Sequence, residues 1–191
     1  MVYRSFSSAR TRQLGRTLAA ALILRGPRQR VATVVALSGE LGSGKTTFVQ
    51  GFLRGLGSRA RATSPTFILF RRHALAAQQS SSASIRAHPP IRVNLRYFTS
   101  AIHADAYRLR SPRDLAALGF ALLLKDPANV IIVEWANRVR KILPKQTAWV
   151  TFHHGQRPHE RTIECRGKLM ATKNEFVISA NSSNVSVDSS M

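Results

Sequence analysis

The sequence predicts an α/β fold, a single domain whose mostly parallel sheet is flanked by helices. Two β-branched apolar runs, Val31–Leu37 and Val130–Val133, have the composition of strands buried on both faces. Between the first run and a helical pattern lies a glycine-rich turn, Gly39–Thr46. Strands alternating with helices favour a parallel sheet covered on both sides.

Taken in order, Thr11–Leu24 reads as the first helix, with Leu14, Leu18, Ala21, Leu22 and Leu24 in rough helical spacing and Gly26-Pro27 as its stop. The strand Val31–Leu37 follows. Thr46 to about Leu56 reads as the second helix, its apolar side being Phe48, Val49, Phe52 and Leu53, with Gly55 and Gly57 as stops. Phe67–Phe70 is a short strand candidate. From about Ala74 to Pro90 the chain is low in complexity and Ser/Gln-rich, which predicts a mobile surface loop between two strands. Strand-like composition returns over Arg96–His103. Ser111-Pro112 opens a further helix, a serine cap followed by proline at the first helical position, with Leu115, Leu118, Leu122 and Leu123 as its apolar side. Trp149–Phe152 and Arg161–Cys165 read as an antiparallel pair. The expected domain is 1–176, with 177–191 a disordered, Ser/Asn-rich tail.

The 191 residues suffice for one α/β domain and are too few for two full-sized ones. No stretch reaches the roughly 18 apolar residues that would span a membrane. A single cysteine, Cys165, has no internal partner for a disulfide, fits a reducing compartment and reads as a small buried side chain. The expected location is the cytoplasm. Residues 1–39 carry arginines and serines but no Asp or Glu, a composition shared with mitochondrial presequences. An ordinary first helix is preferred, because it leads directly into the first strand. Lys plus Arg is 29 against 9 Asp plus Glu, a net charge of +20. Such a surface attracts polyanions, although an arginine-rich proteome would give the same balance.

Gly39-Glu40-Leu41-Gly42-Ser43-Gly44-Lys45-Thr46 is a phosphate-binding loop in the context that motif requires, after a buried strand and before a helix. Glycines let successive N–H groups converge on one anion, and the helix N-terminus adds partial positive charge. Lys45 adds a full charge on the terminal phosphates, and the Thr46 hydroxyl suits Mg²⁺. The fold class is therefore a single-domain P-loop NTPase. Glu40 is expected to face solvent. Magnesium also needs a carboxylate, and acids are scarce: before position 126 only Glu40, Asp105 and Asp114 occur. Glu134 closes the buried run Val130–Val133, where a P-loop protein carries its metal carboxylate. Asp105 ends another strand-like stretch and is the other candidate, or a turn aspartate. Thr66 suits a sensor of the γ-phosphate, or is a turn residue beside Pro65. Trp135 packs beside the site and has a ring able to touch nucleotide. His103 reads as structural.

These residues together resemble the TsaE (formerly YjeE) family, an ATPase that assists tRNA threonylcarbamoyladenosine biosynthesis. Thr11-Arg12-Gln13-Leu14-Gly15 is similar to its opening helix, Leu37–Phe48 to its P-loop, and Ser64-Pro65-Thr66-Phe67 to its switch-like segment. His103-Ala104-Asp105-Ala106-Tyr107-Arg108-Leu109 is similar to its HxDxYRL motif, and Glu134-Trp135 to its EW motif, with Leu143-Pro144 following. The order and spacing of these elements, over residues 11 to 165, make the resemblance specific. It implies that Gly39, Gly42, Ser43, Gly44, Lys45, Thr46 and Thr47 bind ATP, and that Thr46 and Glu134 hold Mg²⁺. It implies that Asp105 is needed for hydrolysis, with Lys45 and Thr66 beside it, and that Ser8, Thr11 and Arg161 approach the adenine side. It further implies slow ATP hydrolysis in isolation, and partnership with a heterodimer of TsaD and TsaB that modifies the adenosine next to the anticodon. The carbamoyl transfer itself belongs to those partners. Contact with tRNA is then indirect, or direct through the basic surface. The 74–90 loop is longer than in compact members.

Two other readings share the motif. One is a small-molecule kinase on the same fold, for which no acceptor motif stands out. The other is a nucleotide-sensing module without significant turnover. A GTPase is disfavoured by the lack of an Asn-Lys-x-Asp segment.

Overall fold

In the computed structural model, the residues described are 1–27, 30–58, 70–75, 97–109 and 111–167. Phe67–Leu69, Thr66 and its switch-like segment, residues 76–90 of the expected loop and the tail from 168 lie outside them. The elements run β1 Val2–Ser5, α1 Ser8–Arg25, β2 Thr33–Gly39, α2 Lys45–Gly55, β3 Phe70–Ala74, β4 Ser100–Asp105, α3 Pro112–Ala117, α4 Phe120–Lys125 and β5 Asn129–Glu134. A 3-10 segment, Ala136–Ile142, leads into β6 Ala148–His154 and β7 Arg161–Arg166.

The strands form one sheet in the order β1-β7-β6-β2-β5-β4-β3. β6, β2, β5 and β4 are mutually parallel at its centre. β3 and β7 run antiparallel to their neighbours, and β1 reverses again against β7. Most strands thus point one way, and the sheet is mixed at its flanks.

The continuous apolar runs exist because the central strands are covered twice. Val35, Leu37, Val130 and Ile132 face the layer of α1 and α2. Val34, Ala36, Ile131 and Val133 face the opposite core, which contains Leu115, Phe120 and Val139. Each buried valine, leucine or isoleucine among them contributes about 1.5–3 kcal/mol.

Helix α1 begins three residues earlier than its apolar spacing suggested, because the Ser7 side chain caps it by accepting from Arg10 N–H. Its buried face runs through Thr11, Leu14, Leu18, Leu22 and Ile23, whereas Leu24 is exposed. Helix α1 lies directly on α2 because glycines remove the side chains at the seam. A Cβ on Gly51 would sit 1.9 Å from the Arg12 carbonyl oxygen, and one on Gly15 2.4 Å from that of Phe48.

Three expectations are corrected. The first strand is β1, which the sequence reading lacks; it pairs with β7 near the far end of the described residues, and the Met1 amine donates to the Cys165 carbonyl. The helix expected from Ser111 through Leu123 is two helices, since Gly119 adopts φ 75° between them; Leu118 and Leu122 consequently point to solvent. Ala74, assigned to the loop, ends β3.

Candidate functional site

β2, β5 and β4 end side by side: Leu37 pairs with Glu134, and Glu134 with Asp105. The crevice outside the carboxyl ends of such strands is where α/β folds bind ligands. The turn from β2 into α2 curls over this edge. Gly39 takes φ 138°, and a Cβ there would lie 2.4 Å from the Phe152 carbonyl oxygen, so only glycine fits between β2 and β6. Gly44 at φ 100° is the N-cap of α2, whose first residues Lys45, Thr46 and Thr47 line the cleft.

Lys45 is buried, and its ammonium donates to the carbonyls of Gly39 (2.8 Å) and Glu40 (2.7 Å). These bonds hold the charge inside the loop. Burial lowers the Lys45 pKa, opposed by the nearby carboxylates of Glu134 and Asp105. The Trp135 ring lies 3.9 Å from this ammonium, within cation–π range. Trp135 holds φ 57°, the only positive value outside glycine among the described residues. Such backbone costs on the order of 1–3 kcal/mol and tends to mark functional positions. The Tyr107 ring contacts Trp135 at 4.9 Å, and Arg138 stands over Tyr107.

Glu134 is 2 % exposed and is held at both oxygens. The Thr46 hydroxyl donates to Oε2 at 2.8 Å, and His103 Nε2–H donates to Oε1 at 2.8 Å. Asp105 Oδ1 accepts Tyr107 N–H at 2.9 Å, which turns its carboxylate to the cleft wall. A cleft of about 530 Å³ is lined by Leu41, Gly42, Gly44, Lys45, Thr46, Thr47, Asp105, Tyr107, Glu134 and Trp135.

Of the residues expected at the site, Gly42, Gly44, Lys45, Thr46, Thr47, Asp105, Glu134 and Trp135 therefore share one cleft. Gly39 and Ser43 shape the loop from beneath, Ser43 being fully buried. Glu40 faces solvent as expected. Ser8, Thr11 and Arg161 do not line the cleft. Ser8 is exposed in the first turn of α1, and the Thr11 hydroxyl is buried against Ser5 at 2.8 Å. Arg161 donates to the Gly42 carbonyl at 3.0 Å and so clasps the outside of the loop. His154 does the same at the Leu41 carbonyl.

His103, read from the sequence as structural, touches Glu134 with its ring. Its signal was the two-residue spacing to Asp105, which puts both side chains on one face of a strand. Among the described residues no three His, Cys, Asp or Glu gather as a cation site, and no helix is long and apolar enough to cross a membrane. A divalent ion in the cleft would need oxygens from a phosphate beside Thr46 and Glu134.

The profile of the TsaE family, threonylcarbamoyl adenosine biosynthesis protein TsaE, matches residues 5–163. The tRNA threonylcarbamoyladenosine biosynthesis protein TsaE of Streptomyces coelicolor is 39% identical over 125 residues, covering 65% of this chain and 66% of that protein. Its counterpart in Haemophilus influenzae is 28% identical over 126 residues, covering 64% of each. The chain thus spans just under two thirds of the length of these two relatives. The crystal structure of Bacillus subtilis YdiB superposes with a TM-score of 0.60 at 20% identity, over 95% of this chain and 92% of that one, a likeness of fold. With a P-loop at the mouth of the sheet and a family match across most of its length, the chain belongs to the TsaE family of tRNA threonylcarbamoyladenosine biosynthesis proteins.

Proposed function

We propose that the chain binds ATP with Mg²⁺ in this cleft and hydrolyses it, in support of N6-threonylcarbamoyladenosine modification of tRNA by a TsaD–TsaB heterodimer in the cytoplasm. The observation that carries the reading is the Thr46 hydroxyl 2.8 Å from Glu134 Oε2, beside the Lys45 ammonium and at the N-terminus of α2. A hydroxyl and a carboxylate together fit magnesium, which is usually held by one or two carboxylates, phosphate oxygens and water. The volume and lining of the cleft suit a polyphosphate: backbone amides, one cation and walls of Trp135 and Tyr107.

In this reading the loop amides and Lys45 take the β- and γ-phosphates, while Thr46 and Glu134 hold the metal, which supplies charge neutralisation on the phosphoryl oxygens. Asp105 orients the attacking water and accepts its proton. Trp135 shields the Lys45 charge from solvent. The exposed cations Arg138, Arg140, Lys141 and Lys145 of the neighbouring segment suit a phosphate backbone, so direct tRNA contact is part of the proposal.

The test is nucleotide affinity and turnover in the presence of TsaD and TsaB. Lys45→Ala removes charge-assisted bonds of about 1.5–3 kcal/mol, so ATP should bind roughly 10- to 150-fold more weakly. Asp105→Asn should bind ATP within a few-fold of the native chain and lose turnover. Full ATP affinity in Lys45→Ala would refute the site, and full turnover in Asp105→Asn would refute the chemistry. Rapid phosphate transfer to a metabolite would favour a kinase instead. For tRNA, log affinity should fall with log salt by about 0.7–0.9 per phosphate contact, and a flat dependence would remove RNA as a direct ligand.

A further inference from the structure

Glu134 has one hydrogen-bond partner on each oxygen, Thr46 on Oε2 and His103 on Oε1, and only the first lies where a cation would bind. A divalent ion shared by Thr46 and Glu134 needs lone pairs from both. The Thr46 hydroxyl has two lone pairs beside its proton and would offer one to the cation, so the oxygen Oε2 would serve both the hydroxyl and the ion. The His103 bond lies on Oε1, the other oxygen, and can remain.

We propose that His103 is the positioning residue of this carboxylate: its Nε2–H on Oε1 holds Glu134 in one rotamer, so that Oε2, the oxygen His103 leaves open, stays beside Thr46 Oγ1. The inference rests on the magnesium–nucleotide reading of the same cleft. Three observations support it. First, both side chains are buried, His103 at 0% and Glu134 at 2% exposure, so the carboxylate depends on protein donors to fix it. Second, the register aligns His103 with Ile132 and Asp105 with Glu134, so His103 and Glu134 sit diagonally on one face of adjacent strands, within side-chain reach. Third, His103 Nδ1 is buried with no hydrogen-bond partner among the described residues. Such an atom costs about 1–3 kcal/mol, which an apolar ring would avoid. Packing alone is thus a poor reason for histidine here, and the bond to Glu134 is a good one.

Partners of metal ligands typically change metal affinity about 10- to 100-fold when removed. The experiment measures binding of a slowly hydrolysed fluorescent ATP analogue without metal and across a Mg²⁺ titration, with thermal unfolding recorded in parallel. His103→Ala should raise the half-saturating Mg²⁺ concentration about 10- to 100-fold and leave metal-free affinity within about two-fold. His103→Gln, whose amide nitrogen can reach Oε1, should restore most of the native midpoint, and the shorter His103→Asn should not. In a Glu134→Ala background, His103→Ala should add nothing. An unchanged Mg²⁺ midpoint in His103→Ala, or a parallel loss of metal-free affinity, overturns the proposal. If His103→Ala does not fold, the Gln and Asn variants decide: equal midpoints overturn it. A native chain whose analogue binding ignores Mg²⁺ overturns the metal reading itself, a result distinct from a Mg²⁺-dependent native chain with an indifferent His103 variant.

Discussion

Gly51→Ala should unfold at a lower temperature than the native chain, although alanine is the better helix former. Gly51 is in the interior of α2, where exchanging glycine for alanine ordinarily stabilises by about 1 kcal/mol. Here the new Cβ would stand 1.9 Å from Arg12 O, 2.6 Å from its carbonyl carbon and 2.7 Å from its Cα. Ordinary contact begins near 3.4 Å, so the two helices must part by about 1.5 Å. The obstacle is backbone and cannot rotate away. Gly15 and Gly55 close the same seam, which leaves the helices little room to pivot. Overpacking of this kind costs about 1–3 kcal/mol, and with a backbone obstacle the upper end applies. Against the propensity gain, the net loss is about 2 kcal/mol. For a chain of this size that lowers Tm by about 4–8 °C, read by circular dichroism on heating. A Tm equal to or above the native value would refute the packing argument and leave propensity in control.

Two further outcomes follow from buried titratable groups. Burial pushes the Cys165 thiol up to about 12, so an alkylating reagent at mildly alkaline pH should leave the native chain unmodified and label it once denatured. The raised value also means that the unfolded thiol ionises first. This contribution to stability is intact below the ordinary thiol pKa near 9.0 and declines from there toward about 12. Labelling of native and denatured chains at equal rates would contradict the burial. His73 is 3% exposed on β3, and its pKa is lowered by burial first, then by His103 and Arg71. A lowered value makes the stability contribution complete above the ordinary value of 6.5 and lost as pH falls below it, because the unfolded ring takes the proton first. The urea midpoint should therefore drop more between mildly alkaline and mildly acidic pH in the native chain than in His73→Leu; identical slopes would count against it.

What could be read from the sequence was what is local or strongly patterned. The phosphate loop compresses its chemistry into contiguous residues, and Glu134 stands out as an acid ending an apolar run. Pairing partners are a different matter. The part played by His103 depends on the β4–β5 register, which places it diagonally from Glu134, and no local pattern encodes that. β1 is short, and its partner β7 lies at the far end of the described chain. The exposure of Leu118 and Leu122 follows from Gly119: helical spacing assumes one axis, and a left-handed residue starts another. Arg161 and Thr11, expected on the ligand side by resemblance, hydrogen-bond to Gly42 and Ser5 and do not line the cleft. Thr66 lies outside the described residues.

The anchors of Glu134 come from distant parts of the chain, Thr46 from 88 residues away and His103 from 31. No stretch of nascent polypeptide carries the constellation by itself, so the proposed grip on a triphosphate would arise only once the central strands have found one another. A ligand that recognises this arrangement favours the finished topology over every partly assembled one, by an amount that grows with the logarithm of its concentration. Were nucleotide that ligand, as proposed above, it would stabilise the folded chain in this way, most where its concentration is high.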